Sequence, residues 1–161
     1  MKKILVFLLL ILPFYIGSSI YLLDKKDFLC PVQYRGDIII RSDARGDGAF
    51  ASPRNGRRVH EGIDLFADLG SPVFAARSGR VIASRSNNGM GNYVAIRHSG
   101  NMVTIYGHLH QIYARQGSFL RQGAVIGSVG KTGNARYRGI QPHLHFEVKK
   151  DGIPQDPLEY L

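Results

Sequence analysis

The chain contains little sulfur and no tryptophan, with Cys30 as its one cysteine among 161 residues. A single cysteine excludes an internal disulfide framework and a thiolate metal cluster, so any metal ligands must be nitrogen or oxygen atoms. Acidic residues are also scarce, with 12 Asp and Glu against 21 Lys and Arg, and the formal charge is +9. This charge favours an anionic partner but does not choose between nucleic acid, an anionic membrane and an acidic polymer.

Long apolar runs are absent except at the N-terminus. Lys2 and Lys3 precede an uncharged apolar run over residues 4–23, and Gly17 and Ser18 resemble part of a small-residue cleavage site. The pattern is typical of a signal peptide. The run is also long enough, at about 20 residues, to span a bilayer as an uncleaved helical anchor. Both alternatives place the rest of the chain outside the cytoplasm, in the periplasm or cell envelope, and this argues against nucleic acid as the partner.

Three segments follow from these patterns. Residues 1–30 are predicted to be a signal peptide or signal anchor, residues 31–58 a polar linker with an entry strand, and residues 59–161 the globular domain. Cys30 lacks preceding small residues of the kind that a lipoprotein acylation site has, so we expect a free thiol near the membrane.

No window of the domain has a sustained helical period. Short apolar alternations separated by Gly, Asn and Ser predict an all-β fold of antiparallel strands. The predicted strands are residues 73–76, 80–84, 93–98, 102–109, 124–129 and 143–149. The Gly- and Arg-rich residues 41–58 are predicted to be loop. A weak similarity between residues 70–82 and 117–127 suggests a duplicated element within a barrel or sandwich.

Five of the six histidines stand in motifs with informative spacing. His60 and Asp64 are four residues apart in HEGID, and Gly62 between them is expected to let the chain turn so that imidazole and carboxylate converge. His143 and His145 alternate along the strand-like HLHFEV, so both rings are predicted to lie on one face of the strand.

Zinc prefers a tetrahedral set of donors such as imidazole nitrogens and carboxylate oxygens, and a catalytic zinc keeps one position for water. An H-x-x-x-D motif followed by H-x-H therefore predicts a metal site of two histidines and one aspartate. The spacing leaves a rival open, because His108 and His110 in YGHLH form a second H-x-H pair.

Several longer motifs occur in a fixed order along the chain. They are VHEGIDLFADLGSPVFAARSGRV, GMGNYVAIRHSG, VTIYGHL, GAVIGSVGKTGNARYRGIQPHLHFEV and DPLEYL. With these motifs the chain resembles the lysostaphin-type (LytM-like) zinc metallopeptidases, which are peptidoglycan endopeptidases. The resemblance implies antiparallel sheets forming a groove, with the loops at residues 87–91 and 130–142 as its walls.

Carried over position by position, the resemblance implies one zinc ion per chain held by His60, Asp64 and His145. It implies that His108 and His143 are catalytic, one as general base and the other supporting the oxyanion and the leaving amine. His98 and His110 then fall outside the site, as a strand-packing and a surface residue. The implied substrate is the stem peptide or cross-bridge of peptidoglycan.

The sequence has no HExxH, so histidine must supply the proton transfer that a glutamate supplies in that motif. Some relatives have a tyrosine shortly before the first zinc histidine, where this chain has Arg54 and Asn55. Glu147 alternates with His143 and His145 on the same face of the predicted strand, so we expect it to orient a ligand ring. Glu61 is expected to be exposed to solvent. The alternative function is a non-enzymatic wall-binding or amidase-activating protein of the same fold, with any regulatory protein unknown.

Overall fold

The computed structural model describes Asp24 and residues 28–34, 36–54, 56 and 58–161. The predicted N-terminal apolar helix lies outside the described residues. Within the described ranges no helix is long and apolar enough to cross a membrane.

The described chain is almost entirely antiparallel β-structure, which confirms the predicted fold class. Its twelve strands are β1 Ser42–Asp43, β2 Gly46–Asp47, β3 Ile63–Phe66, β4 Pro72–Phe74, β5 Gly79–Asn87, β6 Gly91–Arg97, β7 Met102–Leu109, β8 Gln111–Ile112, β9 Phe119–Leu120, β10 Val125–Ser128, β11 His143–Lys150 and β12 Ile153–Gln155. Single 3-10 turns cover Gly133–Arg136 and Pro157–Glu159. All six strands predicted from sequence are present, within a few residues at each end.

The strands form one large sheet and two small ones. The large sheet has the order β12-β11-β7-β6-β5-β9, and β3 pairs with β11 beside it. The second sheet has the order β4-β10-β8, and β1 and β2 form a separate two-stranded ribbon. β3 was missed from sequence because its four residues overlap the HEGID motif, and the ribbon corrects the prediction that residues 41–58 are loop throughout.

The two faces of strand β11 have different surroundings, the apolar core on one side and the polar site on the other. Leu144, Phe146 and Val148 are fully buried in the apolar core on one face, as the alternation predicts. The intervening residues face the other way, toward a cluster of histidines. In the pairing with β3, His145 stands directly opposite Asp64, so sheet register alone brings an imidazole and a carboxylate together.

The segment before the first strand also belongs to the core. Phe28, Cys30 and Val32 are buried there, and Val32 forms an isolated bridge with Val73. Burial raises the pKa of the Cys30 thiol, more than a hydrogen bond with the Val32 backbone lowers it. Cys30 is therefore a buried thiol that forms no disulfide within the described residues.

Gly62 permits a close approach rather than a special turn. Its φ is not in the left-handed region, but a Cβ at this position would lie 2.3 Å from the carbonyl oxygen of Phe146. The absence of a side chain therefore lets the His60 loop lie directly against β11.

His108 lies in a β-bulge and has a left-handed backbone. Asn92 pairs with Leu109 and Val94 with Tyr106, so two residues of β7 oppose Tyr93 alone. The φ of His108 is 60°, and its N–H donates to the Met90 carbonyl at 2.8 Å. A left-handed non-glycine residue is strained by about 1–2 kcal/mol. The bulge re-aims the His108 ring out of the regular alternation of the strand.

Gly62→Ala should lower the free energy of unfolding by about 1–3 kcal/mol, because the methyl group overlaps the β11 backbone. Gly89→Ala is the matched control, since its nearest neighbour would be Asn87 Oδ1 at 3.6 Å. Urea denaturation of both variants measures the difference. Equal stability of the two would contradict the close-approach role of Gly62.

His108→Gly should be more stable than His108→Ala by about 1 kcal/mol, because both remove the ring but only glycine relieves the left-handed strain. Arg97, an exposed residue of β6, supplies the control pair, in which the alanine variant should be the more stable. Thermal unfolding of the four variants tests this, and an alanine preference at both positions would exclude stored strain at His108.

Candidate functional site

Three side chains from distant parts of the sequence meet at one point beside β11. His60 Nε2 lies 3.0 Å from His145 Nδ1 and 3.1 Å from Asp64 Oδ1. His145 Nδ1 lies 2.9 Å from the same Oδ1. All three residues are buried, and among the described residues they form the one His/Cys/Asp/Glu group compact enough to hold a metal ion.

The outer nitrogens of the two rings define the chemistry at this point. His60 Nδ1 donates to the Ala49 carbonyl at 2.9 Å, and His145 Nε2 donates to Glu147 Oε1 at 2.9 Å. In the neutral rings the two inner nitrogens therefore carry lone pairs. Two lone pairs and a carboxylate oxygen then face one another at about 3 Å, an arrangement that needs a positive centre between them.

A proton or a metal cation can supply that positive centre. Burial lowers the pKa of His145, but its hydrogen bonds to Asp64 and Glu147 outweigh burial and raise the pKa to about 9. Without a cation, His145 therefore binds a proton at neutral pH. Tetrahedral zinc with bonds of about 2.0–2.1 Å sets its ligand atoms about 3.3–3.4 Å apart, close to the observed triangle. The donor set and the spacing both fit zinc.

Asp64 stays ionised at this position. Burial raises the pKa of its carboxyl group, but close contacts with His145 and His60 and the positive charge of His145 lower it well below its usual range. Its second oxygen, Oδ2, accepts from Arg41 Nη2 at 2.9 Å.

His108 and His143 form a second pair beside the triangle, with ring centroids 5.0 Å apart. Their Nδ1 atoms donate to the backbone carbonyls of Thr132 and Gln141, at 3.0 and 2.7 Å. Their Nε2 atoms are thereby left as acceptors, and His143 Nε2 lies 3.9 Å from Asp64 Oδ1.

Burial keeps both of these rings neutral. It lowers the pKa of His108 to about 3, with the nearby His145 and His143 adding to the effect. It also lowers the pKa of His143, more than Asp64 raises it. Two neutral imidazoles with free Nε2 atoms are suited to accept and return protons at neutral pH.

The site opens into a cleft of about 470 Å³. Gly89 and Met90 contribute one wall and residues 134–140 another, so both predicted wall loops are confirmed. Arg45 and Arg54 also line the cleft, and Arg54 Nη2 lies 3.7 Å from Asp64 Oδ2.

The remaining histidines lie where the sequence placed them. His98 is buried, with Nδ1 at 2.9 Å from the Ser78 carbonyl and Nε2 at 2.7 Å from Thr104 Oγ1. His110 is exposed. The rival H-x-H pair is therefore split, since His108 faces the cleft and His110 faces solvent.

The two glutamates beside the motifs differ as expected. Glu147 is buried against His145, whereas Glu61 is exposed and its Oε2 pairs with Lys149 at 2.7 Å. Arg41 is buried against Asp64, a contact that the sequence did not predict. No local signal could have revealed a partner 23 residues away.

Known proteins resemble this chain in sequence and in fold. The chain is 41% identical over 100 residues to the peptidoglycan DD-endopeptidase ShyC of Vibrio cholerae, which is 62% of this chain and 22% of that protein. The catalytic domain of lysostaphin from Staphylococcus simulans has a similar structure, with a TM-score of 0.61, 30% identity and coverage of 71% of this chain and 89% of that one.

A zinc-containing peptidase from Vibrio cholerae has a TM-score of 0.61 and 32% identity over 80% of this chain and 39% of that chain. The curated relatives are longer proteins, and their matches to this chain span between 22% and 39% of their own length. The model of peptidase family M23 matches residues 58–157. This chain therefore belongs to peptidase family M23.

Proposed function

We propose that this chain is a zinc-dependent endopeptidase that hydrolyses amide bonds in the stem peptides or cross-bridges of peptidoglycan. The observation that carries the proposal is the convergence of three side chains with metal-ligand atoms, those of His60, Asp64 and His145, at the floor of an open cleft. Two neutral histidines stand beside them. Membership of peptidase family M23 and the named activity of ShyC support the proposed endopeptidase function.

In this proposal His60 Nε2, Asp64 Oδ1 and His145 Nδ1 hold one zinc ion. When bound, zinc supplies Lewis acidity, which acidifies a water molecule and polarises the scissile carbonyl group. Glu147 fixes the tautomer of His145 and makes the ring a better donor.

His108 and His143 carry the proton transfers. One Nε2 accepts the proton of the attacking water. Once that proton is passed to the second Nε2, the second ring can donate it to the developing oxyanion and then to the leaving amine. The Thr132 and Gln141 carbonyls prevent the rings from flipping, because each holds an Nδ1–H. The low pKa values keep both rings in the form that can accept a proton.

The cleft fits an extended anionic peptide. Arg45 and Arg54 line it, and their guanidinium groups are suited to pair with carboxylates of a stem peptide. The glycine-containing wall beside Met90 leaves room for a slender chain. None of the five histidine and aspartate positions implied by the family is substituted, which favours hydrolysis over a purely wall-binding role.

Residues 1–30 are proposed to export the chain and, if uncleaved, to anchor it to the membrane, with residues 31–58 leading into the peptidase domain at 59–161. The enzyme would then act in the periplasm or cell envelope. Relatives named as lipoproteins support an envelope location.

The zinc-loaded full-length chain in detergent should release peptide fragments from isolated sacculi. Chelator treatment should abolish release, and added zinc should restore it, because the histidines alone cannot activate water sufficiently. Mass spectrometry of the products identifies the bond that is cut. Tight binding to sacculi without any fragment release would instead identify a wall-binding protein.

His145→Ala should abolish both zinc binding and turnover, because it removes one of three ligands. His143→Ala should keep most of the zinc and lose about 10²–10⁴-fold in rate, as expected for a missing general acid or base. His110→Ala, at an exposed position, is the control for both measurements. Metal analysis alongside the sacculus assay separates the two roles, and equal zinc loss in both variants would show that the second motif is misassigned.

A further inference from the structure

Arg41 is buried against a residue of the proposed metal triangle. Its side chain is 6% exposed, and both Nη2, at 2.9 Å, and Nε, at 3.3 Å, donate to Asp64 Oδ2. Its Nη1 lies 2.7 Å from Asp43 Oδ2. The guanidinium group thus stands between two carboxylates, and only one of them faces the histidines.

The two oxygens of Asp64 consequently have separate partners. Oδ1 faces His60 Nε2 and His145 Nδ1, whereas Oδ2 is held by Arg41. Two donors on one oxygen fix the rotation of the carboxylate about its Cβ–Cγ bond. Only Oδ1 is then offered to a cation.

The backbone that carries Arg41 is tied to the backbone of Asp64. Arg41 N–H donates to the Asp64 carbonyl, Gly48 N–H donates to the Arg41 carbonyl, and Asp64 N–H donates to the Gly48 carbonyl, each at 2.8 Å. Gly48 is required for this contact, because an added Cβ would lie 2.7 Å from the Asp64 Cβ. The ribbon of β1 and β2 thus delivers Arg41 to a defined position.

The ion pair of Arg41 with Asp43 also contacts the loop that forms one wall of the cleft. Asp43, which holds the other side of Arg41, accepts the backbone N–H of Gln141 at 3.1 Å. The Gln141 carbonyl in turn accepts from His143 Nδ1. Arg41 and Asp43 both lie before residues 58–157, the part matched by the family model.

A role in stability alone explains this arrangement poorly. Burying a guanidinium group between carboxylates carries a desolvation penalty that often cancels the Coulombic gain, so buried ion pairs contribute little net stability. Orienting a metal ligand through its second oxygen, in contrast, requires a buried, directional donor at this position.

We propose that Arg41 is a positioning residue for the metal site, holding Asp64 so that Oδ1 alone faces the cation. This inference rests on the proposed function, because it takes Asp64 as a zinc ligand. Asp43 and the β1–β2 ribbon hold Arg41 in turn.

Arg41→Met removes the guanidinium group while keeping a long side chain. We expect zinc affinity, measured by competition with a chromogenic chelator, to fall about 10–100-fold, the usual loss when an outer partner of a ligand is removed. The visible spectrum of the cobalt-substituted protein should also change, because the released carboxylate alters the ligand field. Arg41→Lys, which keeps one charged donor, should recover part of the affinity.

Arg45→Met is the matched control, since Arg45 lies in the turn of the same ribbon, is exposed and carries the same charge. It should leave zinc affinity and the cobalt spectrum unchanged. Thermal unfolding of the metal-free proteins checks that the variants are folded. A loss of affinity in Arg45→Met equal to that in Arg41→Met would show a general charge effect and overturn the proposal.

The outcomes also separate this proposal from the one on which it rests. If the parent chain binds no zinc, the proposed function fails. If the parent binds zinc tightly and Arg41→Met binds equally or more tightly with the same cobalt spectrum, only the positioning role fails. Lower stability of metal-free Arg41→Met with unchanged affinity and spectrum would leave Arg41 a structural residue and overturn the proposal as well.

Discussion

The structure depends on three atoms, His60 Nε2, Asp64 Oδ1 and His145 Nδ1, that face one another at about 3 Å. Each is fixed from behind: His60 by the Ala49 carbonyl, His145 by Glu147, and Asp64 by Arg41. These outer contacts engage the Nδ1–H of His60 and the Nε2–H of His145, so neither of these N–H groups points into the triangle. The fold thus concentrates lone pairs and negative charge at one point, and a proton or a metal ion there neutralises them.

Sheet register makes this convergence possible. His145 and Asp64 are 81 residues apart in sequence, yet they are direct partners in the pairing of β3 with β11. Gly62 lets the preceding loop lie against the β11 backbone and brings in His60. The bulge in β7 then turns His108 toward the same point. Asp64, His108, His143 and His145 stand on paired strands, which hold side chains more tightly than loops do, and only His60 of the five stands on a loop.

Much of this could be predicted from sequence where the signal is local. The alternation in HLHFEV predicted the two faces of β11, and glycine-bounded apolar runs predicted six strands, whereas both wall loops were implied by the family resemblance. The family resemblance supplied the choice between the two H-x-H pairs, which spacing had left open. The bulge at His108 has no local signal, because glycine is the usual residue at a left-handed position. The Arg41 contact depends on tertiary placement of a ribbon whose strands are two residues each.

Two chemically identical side chains in this cleft have opposite pKa shifts. His108 and His145 are both removed from water, which disfavours the imidazolium form in each. Carboxylates on both sides of His145 reverse that effect and raise its pKa to about 9, whereas His108 has only a backbone carbonyl partner and its pKa falls to about 3. The placement of Asp64 and Glu147 therefore distinguishes His145, which attracts a cation, from His108 and His143, which remain neutral bases. A single desolvated cleft can in this way supply both a binding site for positive charge and groups that accept protons.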